Sequence, residues 1–155
     1  MKEEHDFDYE SGDFIKQYGM LKFSYKDGQY YKNEFLIESA IKGELSLIKY
    51  VIKNGTNIHV RDEAALKESS RNGHLEVVRY LVEQGANIHS ENDYPLRWAA
   101  RNGHLEVVKY LVEKGANVHT QEEYALRFAA RYRHLDVVKY LVEHGADINI
   151  LDNQA

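Results

Sequence analysis

Six of the chain's eight histidines, His59, His74, His89, His104, His119 and His134, recur every fifteen residues, and imidazoles at a fixed step invite a metal reading. They form two sets, each with a step of thirty residues. His74, His104 and His134 open a Leu-Glu/Asp-Val-Val run, and His59, His89 and His119 follow Ile or Val. Elements stacked side by side sit roughly 8–10 Å apart. Two nitrogens sharing one zinc lie under about 4.2 Å apart, because each is about 2.0–2.1 Å from the metal. The spacing therefore predicts no metal site and no cofactor, and it assigns the histidines to holding loops by hydrogen bonds.

Other chemistry is equally thin. The chain has no cysteine, which removes disulfides, thiolate nucleophiles and cysteine-ligated zinc, and which suits a reducing compartment. Gly-x-Ser-x-Gly, a phosphate loop and His-Glu-x-x-His are missing, so an enzyme is not expected. Net charge is −5 and the pI is near 5.9, where a nucleic-acid binder shows a basic excess. The start, Met1-Lys2-Glu3-Glu4-His5-Asp6, lacks the apolar run of a secretory signal, and no apolar stretch approaches a membrane span. A cytoplasmic location is the expectation, and it leaves the sequon Asn54-Gly55-Thr56 idle.

The basic residues carry more. Lys67, Arg97 and Arg127 share one repeat position, and Arg71, Arg101 and Arg131 share another four residues on. Four residues is one helical turn, so stacked helices would present a basic double row. Like charge gathered on one face asks for an acidic counterpart. Solvated arginines at helix C-termini account for the second set alone, through the helix dipole. Tyr50, Tyr80, Tyr110 and Tyr140 form a further ladder, expected to pack half-buried with hydroxyls in water.

The elements behind these positions follow from self-comparison. Asn-Gly-His-Leu-Glu-Val-Val stands at 72–78 and again at 102–108, and Gly55, Gly85, Gly115 and Gly145 keep a step of thirty. Units of about 32–59, 60–89, 90–119 and 120–149 result, the first the most diverged. Each reads as two short helices. In the third, Asn92 and Asp93 precede a helix over Tyr94–Arg101, with Pro95, the only proline, in its first turn and Gly103 as a left-handed stop. The second helix, about Leu105–Glu113, sets Leu105, Val108, Leu111 and Val112 on one stripe before Gly115. Helices this short do not persist alone in water, so each unit must bury its stripe against its neighbours.

Unit three, Tyr94-Pro95-Leu96-Arg97-Trp98-Ala99-Ala100-Arg101-Asn102-Gly103-His104-Leu105-Glu106-Val107-Val108-Lys109-Tyr110-Leu111-Val112-Glu113-Lys114-Gly115-Ala116-Asn117-Val118, resembles an ankyrin repeat, and the likeness extends over about 33–150. The short period and Val-Val-Lys-Tyr-Leu-Val-Glu are similar to arrays of giant DNA viruses, which implies the host cytosol. The resemblance implies an all-α solenoid of stacked helix-turn-helix units with the first helices on a concave face. Three departures stand out. The period is 30 where the family has about 33, so the fingers between units are expected to be short turns. The family's Thr-Pro-Leu-His start is degraded, leaving Asp62, Asp93 or Glu123 to cap. Unit four resembles internal units, so its outer side should be an apolar wall prone to weak self-association.

Residues 1–31 fall outside the repeat: an acidic start is followed by Phe23–Tyr31, read as a capping hairpin around Asp27-Gly28. The leading functional expectation is a protein-interaction module. Its partner segment, acidic by complementarity, would lie on Lys67, Arg71, Asn72, Arg97, Arg101, Asn102, Arg127, Arg131 and Tyr132. The resemblance also implies two alternatives: an adaptor such as a ubiquitin-ligase recruiter, and a passive hydroxylation substrate modified at Asn149.

Overall fold

The computed structural model describes residues 28–154. Among the described residues eight α-helices follow one another in pairs: α1 (Gly28–Lys42) and α2 (Leu45–Lys53), α3 (Val60–Arg71) and α4 (Leu75–Glu83), α5 (Ser90–Arg101) and α6 (Leu105–Glu113), α7 (Thr120–Arg131) and α8 (Leu135–Glu143). A 3₁₀ segment, Ile148–Gln154, ends the described chain. The described residues contain no strand. Gly28–Tyr31 lies in α1, so the second arm of the expected hairpin is helical; the first arm lies outside the described residues. Among the described residues no helix is long and apolar enough to cross a membrane.

Packing explains the repetition. Leu36, Leu66, Leu96 and Leu126 are fully buried on the first helices, and Leu81, Leu111 and Leu141 on the second helices. Val107 joins Val108 and Leu111 in the core, while Leu105 and Val112 are half-buried, so the apolar arc is wider than the sequence stripe. First helices pack on one another more extensively than second helices do.

Glycine and histidine join one unit to the next. A Cβ on Gly43, Gly73 or Gly103 would come within about 2.5 Å of the ring of His74, His104 or His134 in the following unit. Those glycines also have φ between +76° and +78°, so both steric space and backbone require them. The same histidines bond across the interface through Nε2: His74 to the Ile41 carbonyl at 2.7 Å, His104 to that of Arg71 at 2.9 Å, and His134 to that of Arg101 at 3.0 Å. Burial holds the His104 imidazole below its usual pKa.

The fingers are shorter and stranger than ordinary turns. Arg61-Asp62-Glu63, Glu91-Asn92-Asp93 and Gln121-Glu122-Glu123 all have φ between +46° and +63°. Each finger is thus a left-handed turn of three non-glycine residues, and the right-handed helix begins only afterwards, at 64, 94 and 124. Each such residue costs roughly 1–2 kcal/mol, so compensating contacts are required. The capping expectation changes accordingly. Glu63, Asp93 and Glu123 are buried, each against the histidine four residues earlier: His59 at 2.5 Å, His89 at 2.9 Å and His119 at 2.5 Å. Asp93 also accepts the Asn117 backbone N–H at 3.1 Å, tying the finger that opens unit three to the turn that closes it.

Candidate functional site

The two basic rows separate once side chains are in place. The row at 67, 97 and 127 serves the fingers. Lys67 pairs with Glu91 at 2.6 Å in the next finger and lies 3.8 Å from Asp62 in its own. Arg97 is buried; it donates to the carbonyls of Asn92 (2.8 Å) and Glu91 (2.7 Å) and to Gln121 Oε1 (3.0 Å). Arg127 donates to the Gln121 carbonyl at 3.2 Å. Arg97 and Arg127 satisfy carbonyls that the left-handed turns leave without helical partners, and Lys67 pairs with finger carboxylates, so the row is engaged by the fingers.

The row at 71, 101 and 131 is different. Arg71 is exposed, its guanidinium carbon 4.8 Å from the centre of the Trp98 ring in the next unit. Arg101 lies 4.3 Å from the same ring, 5.4 Å from that of Phe128 and 5.5 Å from that of Tyr132. Arg131, also exposed, lies 5.9 Å from the Phe128 ring. Along the stack the order is Arg71, Trp98, Arg101, Phe128, Arg131, a cation–π ladder. Tyr132 and Tyr124 hydroxyls accept from Arg101 at 3.2 Å and 3.5 Å. Behind the ladder Tyr94 stacks on Trp98, and Tyr124 on Phe128. Among the described residues, Arg71, Arg101 and Arg131 form no salt bridge.

Helical spacing builds this arrangement. Tyr94-x-x-Arg97-Trp98-x-x-Arg101 recurs as Tyr124-x-x-Arg127-Phe128-x-x-Arg131, placing a ring and a cation three residues apart on one face. That interleaving was present in the sequence and signals the ladder; a count of cations alone passes over it. Glu68 holds the position of Trp98 and Phe128 in unit two, so the rings begin at unit three. Asn72 and Asn102 are tied to the backbone, Asn72 to the Glu68 carbonyl and Asn102 to that of Arg71, both at 2.8 Å. Tyr132, at their position in unit four, joins the ladder instead.

The fold also matches a family model described as Ankyrin repeats (3 copies), at residues 15–92, 36–122 and 89–152. The chain belongs to the ankyrin-repeat family. Ankyrin repeats are in general protein–protein interaction modules. No curated protein matches the chain.

Other positions in this ankyrin array have structural surroundings. Among the described residues no group of three His, Asp or Glu side chains is placed to hold a metal. Asn149 occupies the place of His59, His89 and His119, exposed, with its backbone and side-chain nitrogens both donating to Asp147 Oδ1. The tyrosine ladder departs from expectation at Tyr110: it is buried, its hydroxyl lacks a hydrogen-bond partner among the described residues, and Arg79 covers the ring at 5.0 Å. Burial raises its pKa.

Proposed function

We propose that this array is a protein-interaction module that holds an acidic partner segment along the first-helix face, on Arg71, Arg101 and Arg131 with Trp98, Phe128 and Tyr132 between them. The observation that carries this reading is the difference between the two rows. Lys67, Arg97 and Arg127 are engaged by the fingers, whereas the second row has no carboxylate partner among the described residues. Stacking on rings fixes the guanidinium planes and leaves N–H edges for forked, charge-assisted hydrogen bonds to carboxylates. Pre-fixed side chains lose less entropy on binding. Asn72 and Asn102 border the row and supply its polar rim.

The test is affinity capture compared between the unmodified chain and a variant with Arg71→Glu and Arg131→Glu, both exposed positions. Partners that depend on this face disappear from the variant, and their capture by the native chain falls as salt is raised. An unchanged set of partners with an unchanged circular dichroism spectrum sinks the proposal.

A further inference from the structure

The ladder has a period, and a period selects among ligand conformations. Arg71 and Arg101 stand at the same position of successive first helices, and packed helices repeat at roughly 8–10 Å; sharing the Trp98 ring caps the separation of their guanidinium carbons at about 9 Å, which is compatible with that step. Arg101 and Arg131 lie 5.4 Å and 5.9 Å from the Phe128 centre, at most about 11 Å apart. An extended β-strand repeats its side chains on one face at about 6.6–6.8 Å and then about 13 Å, on either side of the roughly 8–10 Å between packed helices. A polyproline II helix has three residues per turn and about 3.1 Å of rise per residue, so every third side chain returns to one face after about 9.3 Å. An α-helix reaches a comparable step only at every seventh residue. Three rungs then require about 15 residues, a length marginal as an isolated helix in water.

We propose, resting on the reading above, that the partner segment is a polyproline II stretch with Asp or Glu at every third position, one carboxylate per arginine rung. Such a segment is preformed and solvates its own backbone. This suits a face whose helices already satisfy their own main-chain groups and offer no edge for strand addition. A single-stranded nucleic acid fits less well. Bases need free ring faces to stack on, and Trp98 has Arg71 on one contact and Arg101 on another, with Tyr94 stacked beside it.

Trp98 is the only tryptophan, so its fluorescence reports directly on the central rungs. The full chain is titrated with three acidic peptides of equal charge and length: Glu-Pro-Pro repeats, a peptide of the same composition with its glutamates clustered at one end, and Glu-Gly-Gly repeats. Oligouridylate is run beside them. The Glu-Pro-Pro peptide is expected to change Trp98 emission and to bind at least tenfold more tightly than the other two. Replacing its central Glu by Gln weakens binding in the native chain and has little further effect in Arg101→Gln. Arg71→Gln and Arg131→Gln, at exposed positions, repeat the cycle at the outer glutamates should Arg101→Gln alter the fold.

Equal affinity for all three peptides overturns the periodic inference and leaves the acidic face intact. Failure of every acidic peptide to bind overturns both. Tighter binding of oligouridylate than of any peptide assigns the face to nucleic acid and overturns both as well.

Discussion

Units three and four carry nearly the same sequence and differ in what covers them. In unit three Val108 is fully buried and Leu105 is half-buried between neighbours; in unit four Val138 is half-exposed and Leu135 is 73% exposed. The joint differs too. Gly43, Gly73 and Gly103 each lie under a histidine of the next unit, but unit four has Arg133 there, with φ +63°. The left-handed backbone is kept while the space for a stacked histidine is given up. A side chain at this position fills the space that the histidine ring takes in the other joints. The 3₁₀ segment partly replaces one, setting Ile150 and Leu151 against the core while Ile148 stays exposed. A repeat's sequence thus encodes its own hairpin, and the residue at its joint sets whether a histidine ring has room to stack there.

The largest test of this contrast is Leu111→Ala, which removes a fully buried side chain and should cost about 2–5 kcal/mol in urea unfolding. Hydrogen exchange should rise most in units two to four, since contacts run between neighbours. Equal loosening of α1 and α2 contradicts local coupling.

Next is the joint itself. Gly103→Ala adds a Cβ about 2.5 Å from the His134 ring at φ +76°, and should cost about 1–3 kcal/mol. Arg133→Gly relieves a left-handed arginine with nothing stacked on it, and should be neutral or stabilising by up to about 1 kcal/mol. A loss at Arg133→Gly as large as that at Gly103→Ala erases the difference between the two joints.

The fingers offer a test by sign. Glu122→Gly lies at φ +54° and should raise stability by a few tenths to about 1 kcal/mol. In an ordinary right-handed helix the same change costs about 1 kcal/mol, so a lower thermal midpoint contradicts the left-handed turn.

Protonation probes the joint more gently. Burial lowers the His104 pKa, so the folded state prefers the neutral ring. Its contribution is complete above the unfolded imidazole value of about 6.5 and is lost as pH falls through that value toward the folded pKa. Denaturant midpoints measured at neutral and mildly acidic pH should diverge less in His104→Gln than in the native chain.

The smallest effect belongs to the open end. Leu135→Ala should change stability by less than about 0.5 kcal/mol, because little surface is removed from the core. Sedimentation over a concentration series tests what that surface does: weak self-association through the end is expected, and reduced by Leu135→Glu. A strict monomer at high concentration removes that expectation.

The sequence by itself determined the helix pairs, their thirty-residue step, the glycine stops and the buried leucines, because each follows from local periodicity and backbone preference repeated in register. Tyr94–Arg101 and Leu105–Glu113 were legible for that reason. The left-handed fingers were not, since Arg-Asp-Glu, Glu-Asn-Asp and Gln-Glu-Glu contain no glycine to announce a positive φ. Only the stacked structure supplies the contacts that hold them, among them Arg97 on the carbonyls of Glu91 and Asn92. The same holds for the basic residues. Their spacing placed Arg97 and Arg101 on one helical face, but which of the two is spent inside and which faces outward depends on side chains from the next unit, about thirty residues away. Gln121 takes the first, and Phe128 with Tyr132 frames the second.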